Sequence, residues 1–149
     1  MSELLPKVEV LSSVTDADAA DIAHLLTQLS RTATFDQSRL TTIVTHDATE
    51  LLVVRENGRI VGAATFVTFP LPSGVRGHVE DVVVDETMRG KGIARALLVR
   101  MTELATNRGL RTLDLTSRPA RKSALRLYES VGFVRRDTNA LRFTPTART

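Results

Sequence analysis

VVVDETMRGKGIARALL, residues 82–98, runs from a β-rich valine triplet through a basic glycine turn into a helical pattern. Ile93, Leu97, Met101, Leu104 and Ala105 extend that pattern as one apolar stripe, and Gly109 supplies the stop, so the spacing predicts a helix over 92–108. On one side lies VRGHVEDVVVD (75–85), a strand. On the other lies RTLDLTS (111–117), a second strand. Two strands joined by a single helical crossover run parallel. The stretch therefore decides for a β-α-β unit.

Further out, antiparallel signals dominate. ELLVVRENGRIVGAATFVTF (50–69) holds two β-rich runs around Asn57-Gly58, the preferred type I′ hairpin pair. PLPSG (70–74) reads as a loop. VEVLSSV (8–14) reads as a first strand and Asp16 as a helix N-cap. Ile22, Leu25, Leu26 and Leu29 then recur at helical spacing, and Asp16, Asp18 and Asp21 suit the helix dipole. DQSRLTTIVTHD (36–47) is a weaker second helix. PARKSALRLYES (119–130) is a helix with Pro119 in its first turn and Gly132 past its end. FVRRD (133–137) and ALRF (140–143) close the order as short strands around the turn at 137–139, and the tail 144–149 is expected to be loose. The order is β-α-α-β-β-β-α-β-α-β-β, an α/β domain with a mixed, mostly antiparallel sheet. We expect one domain over 1–149 with its core at about 8–144.

Composition narrows the class. The chain has 149 residues, 42% of them apolar, enough for one core. It has no cysteine, which removes disulfides and thiolate nucleophiles and suits a reducing cytoplasm. His24, His46 and His78 are too scattered to suggest a metal site, so no metal is expected. The first residues show no signal peptide pattern, and no apolar run reaches the roughly 18 residues of a membrane span. The net charge of +3 divides unevenly: residues 1–50 carry −5 and residues 51–149 carry +8. The positive charge gathers around the glycine turn, either as a solvated face or as an attraction for an anion, whether nucleic acid or a phosphorylated cofactor.

The turn itself favours an anion. Backbone N–H groups at a helix start lack partners inside the helix and point outward along the positive end of the dipole. Gly90 and Gly92 lack Cβ atoms and let a phosphate approach, while Arg89 and Lys91 add charge. A P-loop is excluded because GxxxxGK[ST] is missing. A dinucleotide fingerprint would need a third glycine where Arg95 stands, although Asp114 lies near the place of a ribose-binding acid.

RGKGIA (89–94) resembles the R/Q-x-x-G-x-G/A signature of the GNAT superfamily of acyl-coenzyme A N-acetyltransferases. SALRLYESVGF (123–133) is similar to that family's A-x-x-L-Y-x-x-x-G-F segment, and GHVEDVVVD (77–85) resembles the fourth strand of glucosamine-phosphate N-acetyltransferases. The element order matches the family fold over nearly the whole chain. The resemblance implies a parallel strand pair splayed around acetyl-coenzyme A. The backbone N–H groups of Arg89, Gly90, Lys91, Gly92, Ile93 and Ala94 would hold its pyrophosphate. The backbone of Val82, Val83 and Val84 would pair with the pantetheine arm. At Arg121 the sequence departs from the family, many of whose members carry a cofactor-touching asparagine there; Arg121 or Ser123 would replace that contact. The basic cluster 117–122 with Arg126 would either face the nucleotide phosphates or form a solvated helix face.

Attack of an amine on a thioester raises two proton problems. An alkyl ammonium titrates near about 10.4, so its deprotonation at pH 7 costs roughly 4.6 kcal/mol. A thiol titrates near about 8.5, so its expulsion as thiolate costs only about 2 kcal/mol. Tyr128, the single tyrosine, matches a family position that supplies the acid, since a phenol stays protonated at neutral pH. Glu80 and Asp81 interrupt a valine strand, where acids are depleted. They should point to opposite faces unless a bulge intervenes. Glu80 is expected as base, with Asp81 as the alternative or as an acceptor ligand. His78 shares Glu80's face and either touches the acceptor, relays a proton or is a plain surface histidine.

The expected function is an N-acetyltransferase acting from acetyl-coenzyme A on the amine of an unidentified small molecule or peptide. The alternative is a non-catalytic coenzyme A-binding or sensing module. A nucleic-acid binder is disfavoured by few aromatics (4%) and no recognition motif. The acceptor and the oligomeric state carry no sequence signal, and the composition is compatible with a homodimer.

Overall fold

The computed structural model describes residues 4–146. Its sheet has five strands in the order β1-β2-β3-β4-β5: β1 Glu9–Val10, β2 Thr49–Glu56, β3 Arg59–Leu71, β4 Gly74–Val84 and β5 Thr112–Asp114. Neighbours are antiparallel except β4 and β5, which run parallel across the helical crossover. The helices are α1 Asp16–Leu29, α2 Gln37–Thr45, α3 Ile93–Asn107 and α4 Lys122–Val131, with a 3-10 turn at Glu86–Met88.

The middles of β2 and β3 are buried on both faces, so their apolar runs are continuous and not alternating. Leu52, Val54, Ala64, Phe66 and Val79 pack against Leu97, Leu98, Met101 and Leu104 of α3, with Leu127 and Val131 of α4 at the edge. Leu51, Val53, Ile60, Ala63 and Val83 pack on the opposite face against Ala19, Ile22 and Leu25 of α1 and Leu40 of α2. Gly62 sets how closely α3 approaches. A Cβ there would lie 2.5 Å from Ile93 Cγ2.

The Asn57-Gly58 turn forms as expected, with φ of 51° and 80°. Other boundaries move. Thr15, not Asp16, caps α1, in a reciprocal capping box with Asp18. Asp18 and Asp21 do not simply serve the dipole: they are buried, and they tie α1 to the β2–β3 hairpin. Arg55 grips Asp18 with two bonds, of 2.8 and 3.1 Å, and reaches Glu9 at 3.2 Å. Asp21 takes Arg59 at 2.9 Å and the Ile60 amide at 3.0 Å. The expected loop at 70–74 shrinks to a turn, because β3 and β4 stay paired out to Leu71 and Gly74. β1 and β5 are shorter than their sequence patterns, and Pro119 stands before α4, not inside it.

The two closing strands are not formed: 133–137 and 140–143 hold no strand. Arg135 to Thr138 interrupt the alternation of apolar and polar residues that a half-buried strand needs. Phe133 packs edge-on to Tyr128, whereas Val134, Leu141 and Phe143 are at least 84% exposed. Of the expected tail 144–149, residues 147–149 lie outside the described residues.

Candidate active site

The site begins at a break in β4. Ala63 pairs with Val83 and Thr65 with Glu80, so Ala64 faces two residues, Asp81 and Val82. This is a β-bulge, with Asp81 at φ 52°, a conformation that Asp tolerates better than most side chains. The bulge explains the adjacent acids of the sequence: they do not simply alternate across the sheet. It lies just beyond the end of the β4–β5 pairing. The last parallel partners are His78 and Asp114, after which the two strands part and Val82–Val84 pair only toward β3.

A cleft of about 700 Å³ opens along this divergence. Val82, Val83 and Val84 form one wall, and Arg89, Gly90, Gly92, Ile93 and Ala94 form its head. Ser123, Leu127 and Tyr128 of α4 form the other wall. Ten of the expected site residues thus meet in one place. Gly90 and Gly92 both lie at left-handed φ, 80° and 78°, where a side chain would be strained. Gly92 caps α3 without any side-chain hydrogen bond, leaving first-turn amides free. Arg121 likewise begins α4 without a side-chain cap. Two helix N-termini and the side chains of Arg89, Arg95 and Arg121 therefore give the cleft a positive head, suited to a phosphorylated ligand.

Some placements differ from the sequence reading. Lys91 does not line the cleft; its Nζ lies 3.7 Å from Met88 Sδ. Glu80 and Asp81 are exposed on the sheet beyond the cleft wall, with His78 Nδ1 3.8 Å from Glu80 Oε1. His78 also stacks near Phe69, with ring centroids 5.2 Å apart. Sequence reasoning missed Gln28, whose Oε1 accepts from the Glu86 amide at 2.9 Å and fixes the 3-10 turn at the cleft rim. It also missed Arg95, whose Nη1 donates to Ser130 Oγ at 2.9 Å and joins α3 to α4. Nothing in the local pattern marks either residue, because both sit on helix faces that read as solvated.

A second groove, of about 970 Å³, runs along the β5 edge, lined by Arg76, His78, Thr112, Asp114 and residues of the 132–140 segment. Tyr128 is the one residue common to both walls. No three His, Cys, Asp or Glu side chains among the described residues are grouped to hold a metal, and no described helix is long and apolar enough to cross a membrane.

The mixed sheet, its strands parting beside a bulge, and the uncapped glycine-bearing helix start form a cleft for an extended ligand with an anionic end. The chain belongs to the Acetyltransferase (GNAT) family, whose model matches residues 19–133. It is similar to glucosamine 6-phosphate N-acetyltransferase of Trypanosoma brucei brucei, 32% identical over 138 residues covering 89% of this chain and 83% of the relative. It is also similar to glucosamine 6-phosphate N-acetyltransferase 1 of Oryza sativa subsp. japonica, 30% identical over 134 residues covering 80% and 79%. A solved Trypanosoma brucei acetyltransferase superposes with a TM-score of 0.78 at 26% identity, over 93% of this chain and 99% of that one. The chain is thus an acyl-coenzyme A-dependent N-acetyltransferase that acts on an amine-bearing acceptor. The family uses acetyl-coenzyme A as cosubstrate.

Proposed function

We propose that the 700 Å³ cleft receives acetyl-coenzyme A, and that the β5-edge groove receives the amine to be acetylated. The observation that carries this reading is the position of Tyr128 at the junction of the two. The left-handed glycines and uncapped amides of the α3 start fit a pyrophosphate, which a Cβ at either glycine would strain. The unpaired edge of Val82–Val84 fits an extended amide-bearing arm.

When bound, acetyl-coenzyme A supplies the thioester carbon that the amine attacks. Arg89, Gly90, Lys91, Gly92, Ile93 and Ala94 act as the phosphate cradle, with Lys91 contributing charge and backbone only. Ser123 and Arg121 meet the ligand from α4. Tyr128 donates its phenolic proton to the departing sulfur. Glu80 accepts the proton of the ammonium, directly or through water, with His78 beside it. Asp81, held in the bulge, contacts the acceptor. The chain works as one domain, in the cytoplasm and without a metal.

The acceptor is proposed to be a small primary amine, and glucosamine 6-phosphate, the compound named in two relatives, is the first candidate. A thiol-release assay across amino sugars, amino acids, aminoglycosides and peptides tests this. Saturable, acceptor-dependent release is expected. Acetyl-coenzyme A binding without release for any amine would point instead to a sensing module.

A further inference from the structure

Among the cations lining the second groove, Arg76 is the one with a side-chain nitrogen sealed from solvent and without a partner among the described residues. Arg55 and Arg59 of the sheet and Arg108 at the end of α3 each meet a carboxylate: Asp18, Asp21 and Glu50. Arg76 meets none. It appears in no ion pair among the described residues. Its Nε is sealed from solvent with no hydrogen-bond partner among the described residues, although native structures rarely leave a buried donor unpaired. Its cross-strand neighbours, Phe69 and Thr112, are uncharged. Arg76 nonetheless lines the groove, two residues from His78 and four from Glu80 along β4, ahead of the bulge and therefore on the same sheet face.

We propose that Arg76 is the specificity-determining residue for the acceptor, and that it binds an anion, phosphate or carboxylate, carried on the same molecule as the reacting amine. This rests on the reading of the groove as the acceptor site. A guanidinium presents planar paired donors that match two oxygens of either oxyanion, and it is charged at every working pH. Glu80 attracts the ammonium end of the same molecule. Four strand residues separate the two by about 14 Å of backbone, and both side chains are long. That span selects a small amphoteric metabolite and disfavours a bare alkylamine.

The test compares matched acceptors: glucosamine 6-phosphate against glucosamine, and L-amino acids against their amides. The wild type should favour the anionic member of at least one pair by roughly 10- to 100-fold in kcat/KM, the range of a charged hydrogen bond. The pair that shows the preference identifies phosphate or carboxylate. Arg76→Gln should bring that ratio near one by raising KM for the anionic acceptor, while the Kd for acetyl-coenzyme A stays at its wild-type value. Arg76→Lys, which keeps the charge and loses the fork, should retain part of the preference. Turnover with no preference, or a preference that survives Arg76→Gln in a folded variant, overturns this inference and leaves the acetyltransferase reading intact. No turnover of any amine, despite acetyl-coenzyme A binding, overturns both.

Discussion

The proton roles proposed for Tyr128 and Glu80 are unequal, and the difference is measurable. Expelling an ordinary thiolate at pH 7 costs about 2 kcal/mol, so an acid at the sulfur is worth at most roughly 30-fold. Tyr128→Phe should therefore lower kcat by about 10- to 30-fold and leave acetyl-coenzyme A affinity unchanged. The ring would still fill its place against Phe133. An unaltered kcat, with chemistry shown to limit the rate, removes the acid role. Glu80→Gln should cost more at pH 7, because the amine's proton is the larger obstacle, roughly 4.6 kcal/mol. Its deficit should shrink as pH rises toward the amine pKa. A deficit independent of pH would indicate that Glu80 binds rather than deprotonates. These two residues stand out in the sequence because each is chemically isolated: one tyrosine in the chain, and acids inside a valine strand. Arg76 does not, since one more arginine in a basic half carries no signal until its missing partner is seen.

The start of α3 depends on Gly62 of β3, which lies opposite it across the core. A Cβ at Gly62 would press on Ile93 at 2.5 Å and push the helix off the sheet. Gly62→Ala should cost about 1–3 kcal/mol, as overpacking does, and should also weaken acetyl-coenzyme A binding by displacing the cradle. Gly58→Ala, which meets nothing within 4 Å and lies in a remote turn, is the control: strained stability, normal affinity. Equal affinity losses in the two variants would show that the cradle does not rely on this contact. The β-α-β unit was readable because its helix periodicity, its glycines and its strand propensities agree. The bulge was anticipated only as a condition on the Glu80–Asp81 pair, because the extra residue shows itself in register and not in composition. The closing strands failed for a related reason. Short apolar patches at 133–134 and 140–143 look strand-like, but their polar middle offers no continuous face to bury.

The two layers of helices are held differently on the two sides of the sheet. The α3 side relies on a large apolar cluster, while the α1 side adds charge: Asp18 and Asp21, 5% and 8% exposed, grip Arg55 and Arg59. The Arg55 hydrogen bonds hold the Asp18 carboxyl below its usual value, against the opposing effect of burial. Such a group stabilises the fold above its unfolded pKa of about 3.9 and loses that contribution as pH falls through the lower folded value. Asp18→Asn should therefore destabilise by roughly 2–3 kcal/mol near neutrality, less than a fully buried pair because Arg55 is partly exposed. The gap between wild type and variant should be full above about pH 4 and close below it. A gap unchanged by acid in urea titrations would assign the loss to shape and not to charge. This clamp was invisible in the sequence, where three aspartates at a helix start already had a sufficient explanation in the dipole.

The proposed coenzyme position lies between β4 and β5, with its phosphates on the α3 start. A calorimetric titration of the folded protein with acetyl-coenzyme A, repeated with Gly90→Pro in the cradle, measures that placement. Saturable one-site binding with a Kd within the roughly 1 μM–1 mM range of working substrates is expected for the wild type, with a clear loss in the variant. No heat of binding at millimolar ligand, or equal affinity in the folded variant, would contradict it.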